Sequence, residues 1–420
     1  MAIINSQQWD AALAALKPSK RDLEYGLGLH RESIVVEPYG FSPLSEVPIP
    51  YIRQIVESNA SSLEIQRYRS EMRVINYLLD PVEWEEYKAA FDQSGITCII
   101  QNAGQEIQDP LVILERLARY SFVADVKSAF VFKAVVPEDI ERAKREKRHC
   151  LYMMTNGVPL LQRWNSPEEE LHLLKLFFML GVRMMHLTYN RRNMLGDGCG
   201  EPANAGLSDF GKMAVREMNR IGIIVDIAHS GEQTGFDAVK ASSRPVVASH
   251  SACASLNKHC RCKSDRLIKA LAESGGYIGI CAIQKFIGGN GGINDVLDHI
   301  DYAARKFGPN HVAIGTDVGH LSKLKEKNKG TYPAMQKTRP GWEKLWPEYN
   351  LPQSVLKKFE KSAPTLSWTN WPLFTVGLVQ RGYSDSDIKK IIGGNVLRTA
   401  KEVIKNSAFL PEKVERYRRG

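Results

Sequence analysis

From the middle of the chain onward, short apolar runs rich in β-branched residues alternate with longer amphipathic stretches, the pattern of repeated β-α units around a parallel sheet. The strand candidates are Ser33–Glu37, Ile96–Gln101, Leu151–Thr155, Val182–Thr188, Ile223–His229, Pro245–His250, Tyr277–Ala282 and His311–Asp317. Eight strands are what a closed barrel needs, so the pattern predicts an α/β fold of the (β/α)8 TIM-barrel type. One further apolar run, Ala129–Val135, is assigned to an elaborated connection. Between the strands lie helical stretches such as Asp209–Ile221, with Phe210, Met213, Val215 and Met218 at near-helical spacing, and Asp265–Ser274 behind Ser264 as an N-cap.

Each helix runs directly into the next strand, and no Pro/Ser-rich linker interrupts the series, so residues 1–420 are read as one barrel domain. Ile52–Val82 and Leu321–Trp371 are insertions on this plan. The second carries Trp342, Trp346, Trp368 and Trp371, which either cap the barrel mouth or pack the insertion onto the barrel.

Composition changes this picture little. The chain has 56 Lys+Arg against 47 Asp+Glu, a formal charge of +9, but its densest basic run, Glu141–His149, alternates signs as a solvated helix face does. No nucleic-acid partner is expected. No apolar run approaches the ~18 residues of a membrane span, and the opening MAIINSQQWDAALAALKPSK lacks a basic segment followed by an apolar one. Seven unevenly spaced cysteines suit reduced thiols, so the expected location is the cytoplasm.

In an α/β barrel the chemistry gathers at the C-terminal ends of the strands, where the loops converge on one mouth. The polar residues there are Thr155 after LYMM, Tyr189 after MMHLT, His229 after IIVDIA, His250 after PVVAS and Asp317 after VAIGT. A single histidine closing a strand is most often structural. Two on successive strands, with an aspartate two strands later, form a set suited to a metal ion with a carboxylate base, because neutral imidazoles ligate zinc-like ions.

The stretches GVRMMHLTYNRRN, GLSDFGKMAVREMNRIGIIVDIAHSG, RPVVASHSACASL, VAIGTDVGH and GGNVLRTAKEV resemble, in order and spacing, those of the membrane (renal) dipeptidase family, peptidase M19. The resemblance covers roughly Gly181 to Val403 and is weak over the first third. It implies a metal-dependent amidohydrolase-like barrel and, in the family, two metal ions, usually zinc, that hydrolyse dipeptides. Position by position it implies that His229 and His250 hold the second metal and that Asp317 is the general base or proton shuttle. It also implies that Arg261 grips a substrate carboxylate with its bidentate fork. Tyr189 stands where the family has a histidine that polarises the scissile carbonyl, a task a phenol can share. A homodimer is the family-level expectation.

The departures fall on the first metal. The His-x-Asp pair that should end the first strand is replaced in VVEPYGF by Tyr39 and Phe41, and the bridging glutamate by Thr155 or Asn156 in MMTNG. Two adjacent dications need anionic ligands to offset their repulsion, so at most one zinc ion is expected. It would be held by His229 and His250, with Asp317, Glu37 or His186 as a third ligand. The function read here is a dipeptidase-like hydrolase acting on a small amide or peptide-like carboxylated substrate. Two alternatives stay open: a metal-independent lyase, dehydratase or isomerase using the same acid/base residues, and a catalytically silent binding protein.

Weaker signals add no chemistry. His259-Cys260-Arg261-Cys262 has no second cysteine pair at zinc spacing, GDGCGEP lacks the strand–helix context of a dinucleotide loop, and Cys199 is read as an ordinary thiol.

Overall fold

The computed structural model describes residues 3–104, 109–324, 351–405 and 407–410. Nine parallel strands form one sheet: β1 Val36–Gly40, β2 Cys98–Asn102, β3 Val131–Lys133, β4 His149–Thr155, β5 Val182–His186, β6 Ile224–Asp226, β7 Val246–Ser251, β8 Ile278–Ile280 and β9 Val312–Ile314. The hydrogen-bonded path runs β1-β2-β4-β5-β6-β7-β8-β9, and β9 comes round to lie against β1. Eight strands thus make the nearly closed barrel anticipated from the alternating pattern.

β3 is the exception. It pairs only with the lower half of β4, through Val131↔His149 to Lys133↔Leu151, while β5 takes over the upper half from Met153 onward. The run Ala129–Val135 therefore holds a short strand as well as a connection.

The alternation of side chains separates two cores. Cys98 and Ile100 of β2, and Cys150, Tyr152 and Met154 of β4, point into the lumen with Val36, Met184, Ile224, Val247 and Ala313. The intervening Ile99, Leu151 and Met153 face the outer helices. The lower end of the barrel is closed by the helix Asn395–Ile404, whose Val396, Ala400 and Val403 join the inner cluster. Asn395 Nδ2 donates to the carbonyls of Pro309 and Val312 at the base of β9, fixing that helix in place.

The region read as the first insertion is helical. Ile49–Glu57, Ser62–Leu79 and Pro81–Ser94 connect β1 to β2, the second of them opened by a Ser61/Glu64 capping box. Ser264 caps the helix Asp265–Glu273 as expected, accepting from Leu267 N at 3.2 Å. Of the four tryptophans, Trp342 and Trp346 lie outside the described residues. Trp368 and Trp371 are buried in the packing between the outer helices and the barrel, which answers the question for these two.

Close approach at one point of the wall demands glycine. A Cβ at Gly279 would sit 1.9 Å from the Ser249 carbonyl oxygen, and one at Gly315 would sit 2.1 Å from it, so β7 can carry its irregularity there only because β8 and the end of β9 lack side chains. Gly279→Ala should cost about 3 kcal/mol or more, since the obstacle is backbone and cannot swing aside. Urea denaturation of the variant would measure it. A loss below about 1 kcal/mol would show that the wall is softer than this packing implies.

Candidate active site and metal centre

At the upper end of the barrel, β5, β6 and β7 deliver three imidazoles to one place. The ring centroids of His186, His229 and His250 lie 5.0 Å, 5.3 Å and 4.9 Å apart pairwise. The Nε2 atoms of His229 and His250 are 3.0 Å apart. The convergence expected of these two histidines is therefore present, and His186 joins them.

The hydrogen bonds around each ring decide which nitrogen faces inward. His229 Nδ1 is 2.7 Å from Asn190 Oδ1, an acceptor, so Nδ1 carries the proton and Nε2 presents a lone pair. Asn190 sits at φ 51°, a left-handed conformation asparagine tolerates, and this turn brings its amide to the ring. His250 Nδ1 is tied to Ser249 Oγ at 2.8 Å, which leaves its Nε2 for the site. Burial, and after it the Arg261 charge, holds both imidazoles well below their ordinary pKa, so both are neutral at pH 7.

The β5–β6 register places His186 directly beside Asp226. Asp226 Oδ1 accepts from the backbone N–H of Ala228 and Ser249, at 2.9 Å and 3.0 Å, which staples β6 to β7. Its Oδ2 is left facing His186 Nε2 at 2.8 Å. One donor atom from each of His186, Asp226 and His250 lies within 4.8 Å of the other two, and all three residues are buried. Sequence reading missed Asp226. Its signal was a charged residue inside the apolar run IIVDIA, which cannot be buried without a partner.

Arg261 stands against this cluster from the β7–β8 side. Its guanidinium donates to the carbonyls of Ala228 and His250, the latter at 3.2 Å, and approaches His229 Nε2 at 3.2 Å. The buried Lys263 holds the neighbouring Ser230 carbonyl at 2.9 Å, so two cations anchor the loop that carries His229. Burial pushes the Lys263 ammonium down to about 8.

Two aromatic rings bracket the imidazoles. Tyr189 stacks on His229 with centroids 3.9 Å apart, and Tyr39 stacks on His250 at 3.7 Å. The Tyr39 hydroxyl accepts from Asn102 Nδ2 at 2.9 Å and donates to Asn156 Oδ1 at 3.1 Å. The positions expected to hold a first metal are thus occupied by an aromatic ring and neutral amides bonded to each other. They do not fit a dication, whereas the His186, Asp226, His250 group does.

Asp317 follows β9 at φ 59°, a left-handed conformation uncommon outside glycine and asparagine, and is half-buried. Burial raises its carboxyl to about 7, against the opposing pull of Arg261. Glu37, considered as a third ligand, is turned to the seam instead. Its Oε1 accepts from the Thr316 hydroxyl and from Thr316 N at 3.2 Å, and its Oε2 accepts from Trp368 Nε1 at 2.8 Å. The loop Gly196–Pro202 forms a wall of the site, with Cys199 N donating to the His229 carbonyl at 2.9 Å. A separate cavity of about 1090 Å³ opens beyond Asp317, between Ile283, Val318, Gly319, Phe359 and Trp368, and none of the predicted site residues lines it. Among the described residues no helix is long and apolar enough to cross a membrane.

The chain is 30% identical to dipeptidase verJ of Clonostachys rogersoniana over 251 residues, 59% of this chain and 54% of that protein, so the chain spans about half the length of the curated relatives it matches. Its fold is similar to that of an amidohydrolase from Pseudomonas aeruginosa (TM-score 0.64, 21% identity, 90% of this chain and 99% of that one). It is also similar to that of the probable dipeptidase PvdM from the same organism (TM-score 0.62, 19% identity, 92% and 100%). The family profile described as Membrane dipeptidase (Peptidase family M19) matches residues 88–338, more than half the chain. By that match the chain belongs to the membrane dipeptidase family, peptidase family M19.

Proposed function

We propose that the protein is a dipeptidase-like hydrolase of a small amide or peptide-like substrate bearing a carboxylate, working with at most one metal ion, zinc by its donor set. The observation that carries this reading is the meeting of His229 and His250, Nε2 to Nε2 at 3.0 Å, with the Arg261 guanidinium 3.2 Å from the first of them. The dipeptidases among its relatives support the reaction class.

His229 and His250, neutral and each fixed through Nδ1, would hold the ion through Nε2, exchanging the hydrogen bond these atoms now make with each other for the metal. A bound zinc would polarise the scissile carbonyl and lower the pKa of a water ligand. Arg261 is assigned to the substrate carboxylate, and the protein carbonyls on two of its donors keep the guanidinium still. Asp317 takes the proton of the attacking water and passes it to the leaving amine, a task suited to a carboxyl that titrates near neutrality. The Tyr189 hydroxyl is assigned to the developing oxyanion.

Purified protein assayed against dipeptides with added Zn²⁺ should release amino acids. Arg261→Lys should raise KM by about tenfold or more with a smaller change in kcat, because a point charge cannot replace the fork. Absence of hydrolysis across dipeptides of L,L and L,D configuration, with and without Zn²⁺, would sink the hydrolase reading and favour the metal-independent alternatives.

A further inference from the structure

Two of the buried polar groups in the barrel lumen are left over once the roles above are assigned. His186 and Asp226 are both fully buried, side by side on β5 and β6. Burying a carboxylate without compensation is costly, and beyond the two backbone N–H groups on Oδ1 the group that faces Asp226 in this lumen is the His186 ring. The distance of 2.8 Å between His186 Nε2 and Asp226 Oδ2 would suit a hydrogen bond. Yet neither atom makes a directed one, and His186 Nδ1 is also without a partner among the described residues. The ring nitrogen is turned off the line to the oxygen. Two buried ligand atoms 2.8 Å apart, each without a directed hydrogen bond, are arranged as ligands facing a shared centre are.

We infer that His186 and Asp226 join His250 as the protein ligands of a single divalent cation of the zinc class. This assignment rests on the metal-assisted reading above and names the residues that replace the carboxylates lost at the first strand and at the bridging position. Four observations bear on it. One donor from each of the three residues lies within 4.8 Å of the others, a spread that a closing ion can draw in toward the roughly 3.3 Å separations of ligands about 2.0–2.1 Å from a tetrahedral zinc. Two of the three donors are oriented by an outer partner: Asp226 by the Ala228 and Ser249 N–H groups through its other oxygen, and His250 by the Ser249 hydroxyl through its other nitrogen. Asp226 contributes the one negative charge a dication needs beside neutral imidazoles. The stacked ring of Tyr39, 3.7 Å from His250 and 5.5 Å from His186, blocks the side on which a second ion would have sat. His229, 3.0 Å from His250, borders this set as the ligand assigned above.

The test uses the full chain, stripped with a chelator and titrated with Zn²⁺ or Co²⁺ by calorimetry and visible absorption, with circular dichroism to confirm folding. The expected result is one equivalent of Co²⁺ bound, with affinity weakened at least 100-fold in His186→Ala and in Asp226→Asn. Asparagine is chosen because its Oδ1 keeps the bonds to Ala228 and Ser249. His186→Cys should retain the ion and add a sulfur-to-cobalt charge-transfer band absent from the wild type, which a merely structural role for His186 would not produce. Folded wild-type protein that binds no metal overturns the assignment. So does one equivalent bound with unchanged affinity in both weakening variants and no new band in the cysteine variant. Metal binding as described without any hydrolysis leaves the assignment standing and rejects only the proposed reaction. Hydrolysis that survives complete metal removal rejects a catalytic part for the ion, and the binding titrations alone then decide the assignment.

Discussion

Asp317→Asn is expected to lower kcat/KM for a dipeptide-like substrate by about 10²–10⁴, the range over which a positioned general base contributes. The pH profile makes the test specific. The wild-type carboxyl, raised by burial to about 7, is a base only when ionised. The rate should therefore climb about tenfold per pH unit on the acid side and level off above 7. Asparagine cannot titrate, so the residual rate of the variant should lose that limb. Steady-state kinetics from pH 5 to 9, an interval of about two units either side of the inflection, would measure both. An acid limb that persists unchanged in Asp317→Asn would assign the base to another residue.

Glu37 should show the largest effect on stability. It closes the seam where β1 meets β9, accepting from the Thr316 hydroxyl, Thr316 N and Trp368 Nε1 with no exposure of its own. Glu37→Ala removes the acceptor for three buried donors and leaves a void, so a loss of about 3–5 kcal/mol is expected. The pH dependence has an unusual sign for a carboxyl. Burial raises Glu37 from the ordinary 4.5 to about 8, so between those values the folded chain holds a proton that the unfolded chain has released. Its contribution is fully present below 4.5, declines as pH rises to about 8, and is gone above it. The difference in unfolding free energy between wild type and Glu37→Gln should shrink or reverse across that window. A difference that does not change between pH 5 and 8, within about half a unit of each end of the window, would mean that Glu37 is ionised in the folded state.

Most of the barrel was legible because its strands are short apolar runs separated by capped amphipathic helices, and both signals are local. His229 and His250 were legible for the same reason: each closes such a run, and the barrel geometry brings strand ends together. The His186–Asp226 pair was not. The apolar run predicts a strand over Val182–Thr188 with Tyr189 at its end, whereas β5 ends at His186 and Tyr189 belongs to the following loop. That His186 lies beside Asp226 depends on the register between two strands separated by a long loop and a helix, which no local pattern encodes. The stacking of Tyr39 on His250 depends likewise on the irregularity of β1 between Glu37 and Gly40. β3 shows a third kind of non-local information. Its apolar run was visible, but pairing with only half of β4 is a choice made by the packed sheet. Glu37 looked like a ligand because it is acidic and near a strand end, and its outward parity sends it to Trp368 instead.

The helix Asn395–Ile404 stoppers the barrel from below with Val396, Ala400 and Val403. Among the described residues that end is filled, so on the hydrolase reading proposed above substrate and products would pass on the opposite side, above the histidines. On that reading a released fragment that keeps its carboxylate would meet Arg261 on the way out. Inhibition by that fragment, competitive with the incoming molecule, is the traffic pattern such a dead-end passage imposes.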